Sequence, residues 1–338
     1  MVTVHDVARV AGVSISTVSR ALAAPERVAA ATRARVQAAA DALGYVPNRA
    51  ASGLRAGRTS AVGLVVPDLE NPYFASVTKG VQARARAAGL AVFVVDAEED
   101  PHLEADLVAS LAPQTDGLLL CSPRQDDAAV RDAAGRARVV LVNREVAGVP
   151  SVCTDHARGT ELAIEHLRAL GHARVAVVGG PERSWSQERR ADGVRRAVER
   201  FDDLDVVELG AYRPHVDGGY SAADAAVATG ATAVLAFNDL QALGLVRRLA
   251  GRGIRVPDDV SVVGCDDTFV AGLAATPLTT VRTDLRGMGA TAVDLLADLL
   301  RPGNEPEAPR VVLPAELVVR ASTADAPRVL VPSPAVAP

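Results

Sequence analysis

Two sets of polar side chains carry the chemistry this sequence offers. The first lies in Thr3 to Leu22, TVHDVARVAGVSISTVSRAL. If Val18 and Leu22 face inward, Ser14, Ile15, Ser16, Thr17, Ser19 and Arg20 are left to cap and face outward. An arginine at such a position reaches guanine O6 and N7, a serine reaches either kind of base, and an isoleucine touches a thymine methyl. Thr17 and Ser19 suit phosphate oxygens. The second set sits where apolar runs end, at Asp68, Asn71, Asn143, Arg144, Asp155, Asn238, Asp239, Asp266 and Asp267. Carboxylates and amides of this kind suit the hydroxyls of a polar uncharged ligand, and Arg144 and Arg190 add forked donors. No catalytic set is present. The chain has no G-x-S-x-G, no G-x-x-x-x-G-K-[ST] and no paired Cys/His metal ligands, and Gly179-Gly180 is too short for a dinucleotide fingerprint. No cofactor and no metal are expected.

The elements that must position the first set are short helices. Thr3 and Asp6 have capping-box spacing, so a helix starts at Val4. Val4, Val7, Ala8 and Ala11 give it one apolar face. Gly12 can take the left-handed conformation that ends it, and Ser14 caps a second helix, Ile15 to Leu22. Helix, glycine turn and second helix with polar outer positions make a helix-turn-helix, whose second helix enters the major groove. The plainer alternative is a helical hairpin that packs only protein. Thr32 is expected to cap a third helix, Arg33 to Leu43, which Gly44 ends and which closes a small core through Val36, Ala40 and Leu43. Arg33 and Arg35 either meet phosphate or are solvated. This all-α domain spans residues 1–46. In residues 47–59, Asn48 is an N-cap candidate for two turns over Arg49 to Arg55. Gly53 costs that helix about 1 kcal/mol relative to alanine. A helix so short is marginal alone, which also allows a flexible linker.

The second set needs strands. AVGLVVP (61–67), LAVFVVD (90–96), GLLLC (117–121) and VVLVN (139–143) read as buried parallel strands, with helices over 72–88 and 102–112. RVAVVGG (174–180), DVVELG (205–210), AVLAFND (233–239) and VSVVGCD (260–266) form a second series, with helices near 157–170, 187–200, 218–229 and 239–251. The fold class is therefore a helix-turn-helix domain followed by an α/β core of two doubly wound parallel-sheet lobes. TTVRTDL (279–285) crosses between the lobes, a helix follows over 286–300, and VVLPAELVVR (311–320) supplies the last strands. The body runs from 60 to 323. The tail, 324–338, is rich in Ala and Pro, lacks heptads and is expected to be disordered. Two such lobes bind small ligands in their cleft, at the carboxyl ends of the strands.

Charge separates the same two parts. Residues 1–60 hold eight arginines against Asp6, Glu26 and Asp41, a net +5; the chain total of −5 leaves −10 for the rest. A basic head on an acidic body fits a DNA-binding module joined to a domain that does not bind DNA. No apolar run approaches a membrane span and no leader pattern opens the chain, so a cytoplasmic protein is expected. Cys121, Cys153 and Cys265 lie far apart in apolar surroundings and read as reduced core residues.

DVARVAGVSISTVSRAL resembles the opening of the lac-repressor (LacI/GalR) family of bacterial transcription regulators. PDLENPYF (67–74), the run from Asp155 to Gly180, Arg190 ahead of Gly193, Asn238-Asp239, Asp266, PLTTVRTDLRGMG and LVVRAST continue the resemblance to about residue 323. It implies a periplasmic-binding-protein-like core and a hinge helix in which Asn48, Ala51 and Leu54 match, with Leu54 as a minor-groove wedge. It implies that Arg190 and Asp266 grip a ligand, that Asn143 and Asn238 add hydrogen bonds, and that Tyr73 and Phe74 offer a stacking face. Trp185 and Tyr212 are candidates for an aromatic wall, or else pack the lobe. His156 stands where Asn is usual and reads as a surface residue at a helix start. Cys265 replaces an aromatic and implies altered pocket volume. The implied partners are double-stranded operator DNA, a small effector that is commonly a sugar, and a second copy of the chain. The implied function is repression of carbohydrate uptake and catabolism genes. The alternatives are a regulator with a phosphoprotein co-effector and a solute-binding protein, which should lack residues 1–55.

Overall fold

A computed structural model describes residues 2–23, 25–45, 59–301, 303 and 308–327. The expected hinge, with Asn48 and Leu54, lies outside the described residues. The chain divides after Ser60 into two compact units.

The first unit holds helices α1 (Val4–Ala11), α2 (Ile15–Ala23) and α3 (Ala30–Leu43). The Asp6 carboxylate accepts from the Thr3 N–H at 3.0 Å and hydroxyl at 2.8 Å, closing the first turn of α1. Gly12 and Gly44, both at φ 63°, end α1 and α3 in the left-handed conformation. The Ser14 hydroxyl oxygen accepts from the Thr17 N–H at 3.2 Å and caps α2. The third helix starts three residues before the expected Arg33. Its N-cap is Ala29, whose side chain accepts nothing, and Thr32 lies inside the first turn. Packing of the fully buried Val36 with Val7 and Val18, rather than a cap, sets that start.

The second unit contains two six-stranded sheets. The first lobe uses β1 (Ala61–Val66), β2 (Ala91–Asp96), β3 (Gly117–Cys121), β4 (Val139–Val142), β5 (Ser151–Thr154) and β11 (Arg310–Leu313), ordered β11-β5-β4-β3-β1-β2 and wholly parallel. The second uses β6 (Arg174–Gly179), β7 (Asp205–Ala211), β8 (Ala233–Leu235), β9 (Ser261–Asp266), β10 (Thr279–Arg282) and β12 (Glu316–Val318), ordered β12-β10-β9-β8-β6-β7, with only β12 antiparallel. Helices α4 (Pro72–Ala87), α5 (Pro101–Leu111) and α6 (Asp127–Arg136) connect the first four strands. Helices α7 (His156–Ala169), α8 (Trp185–Arg200), α9 (Val216–Ala228), α10 (Asp239–Gly251), α11 (Phe269–Leu273) and α12 (Leu285–Leu299) follow. The runs in β1, β3, β4 and β9 are buried throughout because apolar clusters cover both sheet faces.

The chain crosses between lobes after β5, after β10 and between β11 and β12. TTVRTDL is therefore more than a crossover: its first four residues form β10, and the passage follows at Thr283. Helix α12 returns to the first lobe and lies against α4 so closely that a Cβ on Gly80 would meet the Arg286 carbonyl oxygen at 2.0 Å. The tail begins later than expected. The Ala324 N–H donates to Ser261 Oγ at 3.1 Å and the Ala326 N–H to the Leu170 carbonyl at 2.8 Å, so residues 324–327 belong to the second lobe. The rest of the tail, 328–338, lies outside the described residues.

Candidate functional site

Helix α2 turns Val18 and Ala21 into the core and leaves Ser14, Ser16 and Arg20 exposed. Ser14 Oγ lies 2.8 Å from both Ser16 Oγ and Thr17 Oγ1. Arg20 folds back along the helix: its Nε donates to the Ser16 carbonyl at 3.2 Å and its Nη2 to Ser16 Oγ at 3.4 Å. A guanidinium and three hydroxyls thus gather at a helix N-terminus, whose partial positive charge suits phosphate and base acceptors. Thr17 and Ser19 are half-buried. Ile15, expected wholly outside, is also half-buried and packs on the core, so only part of its side chain faces out. Arg33 donates to the Pro25 carbonyl at 3.3 Å, which ties it to the loop before α3.

In the body, backbone strain gathers at the carboxyl ends of the strands. Apart from Ser60, every described non-glycine residue with left-handed φ lies just beyond or at a strand's carboxyl end: Glu98, Glu99, Ser122, Asn143, Asp266 and Asp267. Such conformations cost about 1–3 kcal/mol each and persist where surrounding structure holds them for a purpose. Between these strand ends lies an inner cavity of about 30 Å³. Tyr73, Phe74, Asn143, Arg190, Asn238 and Asp266 line it. So do Ser122, Arg124, Glu99 and Phe237, which the sequence reading passed over. Phe237 looked like strand core in AVLAFND, yet β8 ends at Leu235 and turns the ring into the cleft. The signal for Arg124 was its place three residues past a buried strand.

Arg190 is the centre of this site. Its guanidinium stacks 4.3 Å over the Phe237 ring, its Nη1 donates to the Phe237 carbonyl, and its Nη2 meets Asp266 Oδ1 at 3.4 Å. Its buried Nε makes no hydrogen bond. Burial pushes the Asp266 carboxyl up to about 8, against the pull of Arg190. Asn143 donates to Ser122 Oγ at 3.0 Å. Its Oδ1 lies 2.6 Å from His156 Nε2, which must carry the proton because the amide oxygen only accepts. His156 is therefore not a surface residue: it is 5% exposed, and burial holds it neutral, well below the ordinary histidine range.

Several expected contacts are spent on structure. Asn238 caps α10 through Oδ1, accepting the Gln241 N–H at 2.8 Å, and its Nδ2 donates to the Pro214 carbonyl. Tyr73 directs its hydroxyl to Met288 Sδ at 3.7 Å inside the first lobe. Arg144 is committed to the Pro123 and Gln125 carbonyls and Asp127. Trp185 opens α8 against the His156 edge, 6.0 Å between ring centres, and lines neither the inner cavity nor the opening outside it. Tyr212 lines the opening and packs on the second lobe. Cys265 is buried in the second lobe and borders a cavity of about 20 Å³ behind Arg190 and Phe237, and it lines neither the inner cavity nor the opening outside it. Cys121 and Cys153 are buried in the first lobe, and burial pushes all three thiols up to about 12.

Asp239, a ligand candidate by position, is structural. Its carboxylate accepts from the Thr268 N–H at 2.7 Å, the Thr268 hydroxyl at 3.0 Å and the Thr280 hydroxyl at 2.6 Å. Asp239→Ala would strand these buried donors. The expected loss is about 2–4 kcal/mol of stability, read by urea unfolding, with Asp239→Asn losing less. Equal stability of Asp239→Ala and the parent chain would show that the donors find other partners.

Residues 3–48 match the bacterial regulatory proteins, lacI family, and residues 164–323 match the periplasmic binding protein-like domain. The chain is 32% identical over 330 residues to the HTH-type transcriptional regulator DegA of Bacillus subtilis (strain 168), covering 94% of this chain and 97% of that protein. A crystal structure of the lac repressor dimer bound to operator and the anti-inducer ONPF is similar, with a TM-score of 0.87 and 30% identity, over 96% of this chain and 99% of that one. A complex of the transcriptional regulator CelR with cellobiose has a TM-score of 0.69 at 33% identity, over 95% of this chain and 100% of that one.

Proposed function

The chain belongs to the lacI family of transcriptional regulators, with a DNA-binding and a ligand-binding part, and from that premise we propose what it reads and senses. Two copies present two α2 helices to a pseudo-palindromic operator of carbohydrate uptake and catabolism genes in the cytoplasm. Asn48 and Leu54 act in a hinge, Leu54 as a wedge between base steps. A small sugar binds in the inter-lobe cleft. The observation that carries this reading is the Arg190–Asp266 pair. It is set against the Phe237 ring beside Asn143, at the carboxyl ends where both sheets face one cleft. Charged, forked groups beside an aromatic face match the hydroxyls and ring face of a sugar. The similar complex of the transcriptional regulator CelR with cellobiose supports the ligand class.

Arg190 already gives its Nη1 to the Phe237 carbonyl and its Nη2 to Asp266, so a sugar that takes these donors draws the guanidinium off one of its partners. The effector changes operator affinity only by its differential affinity for the two lobe arrangements. A thermal-shift panel of mono- and disaccharides on the full chain tests this. A ligand at 100 times its dissociation constant adds about 2.7 kcal/mol, which raises melting by several degrees. The same ligand is expected to change operator affinity. Were no sugar to shift melting, the sugar reading would fall, leaving the family assignment in place.

A further inference from the structure

The cleft widens outward from its base. Beyond Glu99 and Arg124, which line both spaces, an outer cavity of about 860 Å³ opens between the lobes. Its walls carry Asp68, Glu70, Asp96, Glu98, Glu99 and Glu182. The cations facing them are fewer, and two are already engaged. Arg124 holds Glu99 with paired bonds of 2.5 and 2.9 Å. Arg213 holds Asp217, which lies outside the cavity wall, at 2.9 Å. His215 faces Asp68 from the other lobe, and Arg183 is the remaining cation of the wall.

Asp68 shows what this surplus of negative charge lacks. The residue is 7% exposed. Its Oδ1 accepts the Glu70 N–H at 2.8 Å. Its Oδ2 is buried and makes no hydrogen bond; its one ion-pair contact among the described residues is with His215 Nε2, 3.5 Å away on the other lobe. Burial raises its carboxyl above the ordinary range. A buried carboxylate oxygen without a donor is costly, and a ligand donor removes that cost. Tyr212, half-buried on the opposite wall, offers a ring to a sugar face.

We propose that the outer cavity is a second effector subsite that takes a sugar unit bearing an ammonium group, its charge set against Asp68, and refuses phosphorylated and carboxylated sugars. The proposal rests on the reading of the inner cleft as a sugar site. An ammonium supplies donors to Oδ2 and neutralises the surplus, whereas a phosphate would enter a field of its own sign.

The test is a binding series on the full chain in which each neutral mono- and disaccharide is matched with its amino and its phosphorylated counterpart. Amino forms of the ligands that bind are expected to bind about tenfold tighter than their neutral parents at low salt, less so at high salt. Phosphorylated forms are expected to bind at least about tenfold more weakly. Asp68→Asn is expected to abolish the amino preference, and Glu98→Gln, at an exposed position, to reduce it without risk to the fold. A phosphorylated form that binds as tightly as its parent overturns the subsite, as does an amino preference that survives both substitutions. Neutral sugars that bind with no amino preference overturn the subsite alone. Absence of binding by every sugar overturns the cleft reading and this subsite with it.

Discussion

Arg20→Ala is expected to lose about 1–3 kcal/mol of discrimination at one operator base pair, with little change in protein stability. The side chain is exposed, and its bonds to Ser16 are long and local, so removing it opens no cavity and strands no buried group. Those same bonds are weak enough for the guanidinium to swing outward to a guanine edge. Thr17→Ala should act differently. A phosphate contact carries no sequence information, so its loss weakens all sites alike. Anisotropy titrations of a selected operator and its single-base variants, at several salt concentrations, separate the two. An unchanged ranking of base variants in Arg20→Ala would reject the docking of α2 by this edge.

Asp266→Ala is expected to weaken effector binding by about 1–3 kcal/mol, since it removes a buried hydrogen-bonding carboxyl and leaves Arg190 without its partner. The same residue gives the body a pH dependence. In the folded chain burial raises the Asp266 carboxyl from 3.8 to about 8, and that of Asp239 from 3.8 to about 6. At these two carboxyls the folded state holds more protons than the unfolded state between about pH 4 and 8, while burial of His156, His166 and His172 works the other way up to about pH 6.5, so the fall in stability is expected between about pH 6.5 and 8. Urea unfolding of the ligand-free chain over that range should show the decline, and Asp266→Asn should flatten it. An identical slope in the variant would place the titration elsewhere.

Much of this protein was legible because its signals are local. Thr3 and Asp6, Gly12 and Ser14 act within one helical turn, so their spacing alone announces two helices and the turn between them. The runs in β1, β3, β4 and β9 are apolar throughout because both faces are covered, and such runs read as buried strands without further context. The start of α3 was misread because no side chain caps it; packing against α1 and α2 decided it. Strand β5, SVCT, is too short to show a period, and only its pairing with β4 and β11 reveals it.

The polar residues divide in the same way. Residue type and position placed Asp266 and Asn143 at the cleft, because the carboxyl ends of buried strands put their side chains there, whereas Arg190, inside α8, was marked by the resemblance. Whether each is free for a ligand depends on what fills its hydrogen-bonding capacity, and those partners come from far along the chain. Asp239 collects donors 29 and 41 residues away, and Arg190 meets Asp266 across 76. His156, 13 residues after Asn143, orients that amide only because β5 carries the chain from one lobe to the other between them. Capping and periodicity act over a turn or a strand, so sequence alone determined the helix-turn-helix and the two-lobed α/β body. Burial and hydrogen-bond saturation are sums over every neighbour, so only the tertiary structure decided which groups hold the fold and which face the cleft.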